Sequence, residues 1–144
     1  MTHMDKGKFF KKHPEGTKIS DSLKQEILQQ TKDNNISCKA AEKISLGLNT
    51  PMDEIGVAID ILNVNIAQCQ LGLFGYEGKP KLVVAAASVT PALESGIKAA
   101  LVKNRLPCAA AWEIADRFGM KRLDVCAACE KLKIRIKPCQ LGAF

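Results

Sequence analysis

The sequence predicts a mainly α fold, assembled from two tandem three-helix units that each end in a short β-strand. Three observations carry this. The first is an internal repeat: Cys69-Gln70-Leu71-Gly72-Leu73-Phe74 returns as Cys139-Gln140-Leu141-Gly142-Ala143-Phe144, at an offset of 70 residues. The same offset, without gaps, brings Leu23 onto Leu93, Ile27 onto Ile97, Asn34 onto Asn104, Cys38 onto Cys108, Ala41 onto Ala111, Ile44 onto Ile114, Ala58 onto Ala128, Leu62 onto Leu132 and Ile66 onto Ile136. One register held over about 55 residues marks a tandem duplication. The second observation is apolar spacing of three and four residues through most of each copy, and the third is a change to strict alternation near each copy's end. The chain divides accordingly into an arm at 1–19, repeat 1 at 20–74, a connector at 75–89 and repeat 2 at 90–144.

Ser20 is placed to cap a first helix over 21–32, whose stripe is Leu23, Ile27 and Thr31. Its counterpart begins at Thr90-Pro91, a capping hydroxyl followed by proline in the first turn, and continues through Leu93, Ile97 and Leu101. Asn34 and Asn104 mark the turns that follow. Ser37 caps a second helix from Cys38 to about Gly47, with Ala41, Ile44 and Leu48 inward; Ala111, Ile114 and Phe118 repeat that stripe. Thr50 is read as the cap of a third helix that Pro51 begins and that runs to about Leu62, with Ile55, Ile59 and Leu62 on its inner face. Val125, Cys129 and Leu132 match it in repeat 2. Val64 and Ile66, then Ile134 and Ile136, alternate with other residues as strands do. Residues 82–87 fit either a strand or the lead into the next helix.

Two copies of about 55 residues are each small for an independent core, so they are expected to lean on one another. No apolar run reaches the ~18 residues a membrane span needs. The basic start, Lys6, Lys8, Lys11 and Lys12, lacks the ~7–15 apolar residues that would make it a secretory signal, which predicts a cytoplasmic protein with reduced cysteines. The net charge of +6 is unevenly placed: repeat 1 has four basic and seven acidic residues, repeat 2 ten and five. Such a split suggests an anionic partner, with nucleic acid the commonest, and the basic arm could reach along it.

Three short helices, the second and third joined by a tight turn and followed by a strand, resemble a winged helix-turn-helix domain. The resemblance rests on Ala41, Ile44, Leu48, Ile55, Ile59 and Leu62, and on Ala111, Ile114, Phe118, Val125 and Leu132. It departs from the family after Pro138, where only Cys139 to Phe144 remain for a turn and a returning strand. The resemblance implies a third helix that enters the major groove of double-stranded DNA. Asp53, Glu54 and Asp60 on the third helix of repeat 1 would repel phosphates, so repeat 2 is expected to make the contacts. Lys121, Arg122 and Asp124 would face bases, and Lys131, Lys133, Arg135 and Lys137 would neutralise phosphates.

Cysteines recur as Cys38/Cys69 and Cys108/Cys139, an equivalent pair per repeat. Burial as small apolar groups is the preferred reading, with these four kept as candidate metal ligands, since a tetrahedral zinc site would need further donors close by. Cys126 and Cys129 form a C-x-x-C, yet their equivalents are Gly56 and Ile59, and Ile59 is a core position. No glycine-rich phosphate loop, G-x-S-x-G or H-E-x-x-H occurs, and both histidines lie in the arm, so neither enzyme chemistry nor a cofactor is expected. The function expected is that of a small transcriptional regulator binding through repeat 2. A protein-interaction module using repeat 1, a thiol or metal sensor, and a homodimer stay open.

Overall fold

A computed structural model describes residues 19–78 and 81–144, so most of the basic arm lies outside the described residues. The mainly helical class holds, with six helices among the described residues: α1 (Asp21–Gln30), α2 (Cys38–Leu48), α3 (Met52–Ile61), α4 (Pro91–Ala99), α5 (Cys108–Phe118) and α6 (Arg122–Leu132). Strands β1 (Asn35–Ser37) and β2 (Asn65–Ala67) form a parallel pair. Among the described residues no helix is long and apolar enough to cross a membrane.

The chain forms two compact units. Among the described residues, unit 1 takes 19–69 together with Leu141–Ala143, and unit 2 takes those of Gln70–Gln140 with Phe144. In unit 1, the Ser20 hydroxyl accepts from the Leu23 amide at 3.2 Å and the Ser37 hydroxyl from Ala40 at 3.1 Å, which starts α1 and α2 as their sequences predict. Pro51, not Thr50, occupies the cap position of α3, and the Thr50 hydroxyl instead donates to the Leu48 carbonyl at 3.2 Å. Ile27, Ile36, Ala41, Ile44, Ile55, Ile59 and Ile66 fill the core. Leu48 does not join them, since α2 ends there and leaves it at the surface.

Asp60 departs from its expected place. It is buried rather than held out to repel phosphate. It lies one turn beyond Gly56, and a side chain at Gly56 would run into the backbone of Leu141, so this face of α3 is covered within unit 1.

In unit 2, the Thr90 hydroxyl caps α4 by accepting from Leu93 at 3.3 Å, and Leu93, Ile97, Leu106, Ala111, Ile114, Val125 and Ala128 are buried. Residues 82–87 are neither strand nor helix. The Leu82 and Val83 amides donate to the Gly72 carbonyl at 2.8 and 3.0 Å, and Ala86 donates to Ala127 at 3.0 Å. The strand expected near 134–137 is reduced to one parallel bridge, Leu106 with Ile136, the same register position as Ile36 with Ile66.

Backbone conformation repeats as the sequence does. Five positions with positive φ recur at the 70-residue offset: Asp33 and Lys103, Asn34 and Asn104, Asn49 and Gly119, Asn63 and Lys133, Gly72 and Gly142. The first two pairs make a turn whose central residues both have φ above zero, closed by mutual bonds of Lys32 with Asn35 and of Val102 with Arg105. The Asn49/Gly119 position ends the second helix and aims the third.

Candidate nucleic-acid interface

The tight connection between α5 and α6 in unit 2 is set by local bonding. Gly119, at φ 64°, leaves α5 in the left-handed region, and the Met120 amide donates back to the Ala115 carbonyl at 2.9 Å. In unit 1 the Thr50 amide makes the equivalent bond to Ser45, also at 2.9 Å, beyond Asn49. These six-to-one bonds satisfy carbonyls that a helix end leaves open, and they allow only two more residues before the next helix.

Lys121 stands at the cap of α6 and is exposed, as is Asp124 in its first turn, where the positive end of the helix dipole favours a carboxylate. Arg122 is placed differently. Its guanidinium lies 3.6 Å from the centroid of the Trp112 ring and donates to Gln70 Oε1 at 2.8 Å, so its charge is tied into unit 2 and is half-buried. Lys131, in the last turn of α6, and Lys133, Arg135 and Lys137 beyond it are all exposed. By contrast, Lys98 and Arg117 are each paired with a carboxylate on their own helix, Glu94 and Glu113. Among the described residues, Lys121, Lys131, Lys133, Arg135 and Lys137 have no such partner.

Behind α6 lies a groove of about 410 Å³ lined by Leu73, Lys81, Glu130, Lys133, Ile134 and Arg135 among others. Lys81 and Glu130 pair across it at 3.0 Å. Two basic residues that the charge run does not announce adjoin this region: Lys103 at the tip of the positive-φ turn, and Arg105 beside the Leu106–Ile136 bridge, both exposed. The repeat register held a signal for them, since Asp33 and Asn35 occupy the corresponding places in repeat 1. Unit 1 has its own pocket of about 390 Å³, lined by Ile19, Ser20, Leu23, Thr50, Asp53, Glu54 and Val57, with Asp53 and Glu54 exposed.

All six cysteines are thiols; Cys38, Cys69, Cys108, Cys126 and Cys129 are buried and Cys139 is half-buried. Among the described residues no three His, Cys, Asp or Glu side chains gather as a metal site would require. Burial pushes the Cys129 thiol from 9.0 up to about 12, with the neighbouring Glu130 charge adding to the rise. A raised thiol pKa disfavours the thiolate, the form that reacts and binds metal. The linkage runs one way: the contribution of Cys129 to stability is complete below pH 9 and is lost as pH climbs towards 12. We therefore expect the urea midpoint to fall more between about pH 8 and about pH 10.5 in the natural protein than in Cys129→Val. At about pH 8, iodoacetamide should label Cys139 well before Cys129.

Compared with protein-family models, curated proteins and solved structures, the chain matches none.

Proposed function

We propose that this chain is a double-stranded DNA-binding protein, a small transcriptional regulator whose two repeats are winged-helix-like readers and whose second repeat makes the contacts. The observation that carries this reading is a set of five exposed cations in unit 2, Lys121, Lys131, Lys133, Arg135 and Lys137, with no carboxylate partner among the described residues. Four of the five fall within seven residues at the end of α6 and just past it. The tight α5–α6 turn supports it, because a helix projected in this way can enter a major groove about one helix wide.

In this reading α6 enters the groove by its N-terminal turn. Lys121 donates to guanine or phosphate, and Asp124 accepts from a cytosine amine. The cations past the C-terminus of α6 bind phosphates and fix the register. Arg122 supports the helix from behind through Trp112 and Gln70. Fluorescence anisotropy on random duplex DNA tests the proposal: binding should weaken steeply with salt, and absence of salt-sensitive binding at low ionic strength would overturn it.

One substitution separates binding from folding. Lys133 has φ 58°, where repeat 1 places Asn63, and asparagine tolerates that conformation better than lysine. Lys133→Asn should raise stability by up to about 1 kcal/mol. It should also lower the magnitude of the salt slope by about 0.9, the share of one phosphate. Weaker binding by a more stable protein could not be ascribed to unfolding.

A second reading is favoured by the acidic pocket of unit 1, where Asp53 and Glu54 are exposed beside Leu23 and Val57. There the chain would serve as a protein-interaction module for a basic partner. Lys121→Glu divides the two readings, since unchanged DNA affinity favours the partner.

A further inference from the structure

We propose that the β-ladder of unit 2 is a phosphate clamp in which Arg105 and Arg135 together grip the DNA backbone; this rests on the DNA-binding reading above. In unit 1 the ladder pairs Asn35 with Asn65, Ile36 with Ile66 and Ser37 with Ala67. In unit 2 the Leu106 amide donates to the Arg135 carbonyl at 3.0 Å, and the Lys137 amide donates to the Leu106 carbonyl at 2.9 Å. These two bonds fix the same parallel register around Leu106 and Ile136. Arg105 thus stands beside Arg135, where unit 1 has two asparagines, on backbones about 4.8 Å apart.

Leu106 and Ile136 are buried, so the residues before them on each segment turn their side chains to the opposite side, and both arginines are exposed. Like charges on facing positions of a ladder destabilise it. No carboxylate pairs with either arginine among the described residues, and Glu130, the acid of the adjoining groove, is taken up by Lys81. Two guanidinium forks side by side each present several N–H donors, which suits bidentate contacts to neighbouring phosphates of one strand, one per arginine.

The surroundings point the same way. Lys103 and Lys133 hold left-handed conformations at φ 51° and 58°, which are costly for lysine. Repeat 1 meets the same backbone demands with Asp33 and Asn63. Lys137 stands where repeat 1 has Ala67. Five positions around one ladder are basic in unit 2, and none of their counterparts is. A backbone conformation that lysine serves poorly, and a like-charge pair that the ladder does not need, are explained together by a ligand that brings the negative charge.

The test is Arg105→Asn with Arg135→Asn, which installs the pair that repeat 1 already uses, read beside Arg105→Lys with Arg135→Lys. On duplex DNA the asparagine variant should lose about 1.8 from the magnitude of the salt slope, the share of two phosphates, while its urea midpoint stays equal or rises. The lysine variant should keep the slope and lose several-fold in affinity, because it retains charge without the fork. An unchanged slope in the asparagine variant, or full affinity in the lysine variant, overturns the clamp and leaves the DNA reading standing. A thermal-shift titration with inorganic tripolyphosphate makes the failures distinguishable. If the natural protein ignores duplex DNA yet tripolyphosphate raises its Tm, and not that of the asparagine variant, the two arginines hold a phosphate but not that of DNA, and both the DNA clamp and the DNA reading fall. If neither probe binds, both fall.

Discussion

Replacing Gly56 by alanine should destabilise unit 1 by about 3 kcal/mol, the upper part of the range for inserting a methyl group into a packed site. The magnitude follows from what the methyl would meet. At Gly56 the obstacle is the carbonyl group and Cα of Leu141, backbone atoms that cannot rotate aside as a side chain would. Helix α3 itself would accept alanine gladly, so propensity alone predicts the opposite sign. The sister position in unit 2 is Cys126, fully buried, which shows that the helix tolerates a side chain there when nothing lies so close. The only tryptophan, Trp112, belongs to unit 2, so its fluorescence follows that unit, while far-ultraviolet circular dichroism follows every helix. Urea titration of Gly56→Ala should bring part of the dichroism loss to a lower concentration. An unaltered dichroism curve would mean that this packing contributes little.

The second large effect concerns binding. Under the proposed DNA-binding function, reversing Lys131, Lys133 and Arg135 to glutamate should lower affinity for duplex DNA about a hundredfold or more at ~0.15 M salt. Each phosphate neutralised contributes on the order of 1 kcal/mol there through counterion release, so removing three such interactions costs roughly 3 kcal/mol before repulsion is added. All three side chains are exposed, so the fold should survive. Circular dichroism checks that, and anisotropy at several salt concentrations reads the loss. A variant that bound as tightly as the natural protein would remove these residues from the interface.

Much of the fold was legible because its signals are local. Ser20, Ser37 and Thr90 cap helices as their side chains suggest, and Leu23, Ile27, Ile44, Ile55 and Ile59 are buried as their spacing implies. What escaped depends on distant neighbours. Strand β1 has three residues with only Ile36 buried, too few to show a period, and its identity comes from Ile66, thirty positions on. Asp60 looked like an exposed charge on an amphipathic helix. Gly56, one turn before it, abuts the backbone of Leu141, a neighbour that no reading of α3 alone could supply.

The candidate site shows the same division. Lys131, Lys133, Arg135 and Lys137 were evident as a run, whereas Arg105 lies thirty residues before Arg135 and joins them through a single bridge. Arg122 had the right charge but a different task, because Trp112 and Gln70 stand beside it. Charge is readable from sequence; what a charge already holds is not.

The make-up of unit 1 bears on how the protein is born. Its first helices leave the ribosome early, but Leu141–Ala143 emerge about seventy residues after Cys69, a delay of several seconds at ~5–20 residues per second. Until then the Leu141 backbone that abuts Gly56 is missing, and we expect unit 1 to complete its packing only afterwards. Nascent chains of this protein should therefore gain resistance to protease over residues 20–69 only once residue 143 has cleared the exit tunnel.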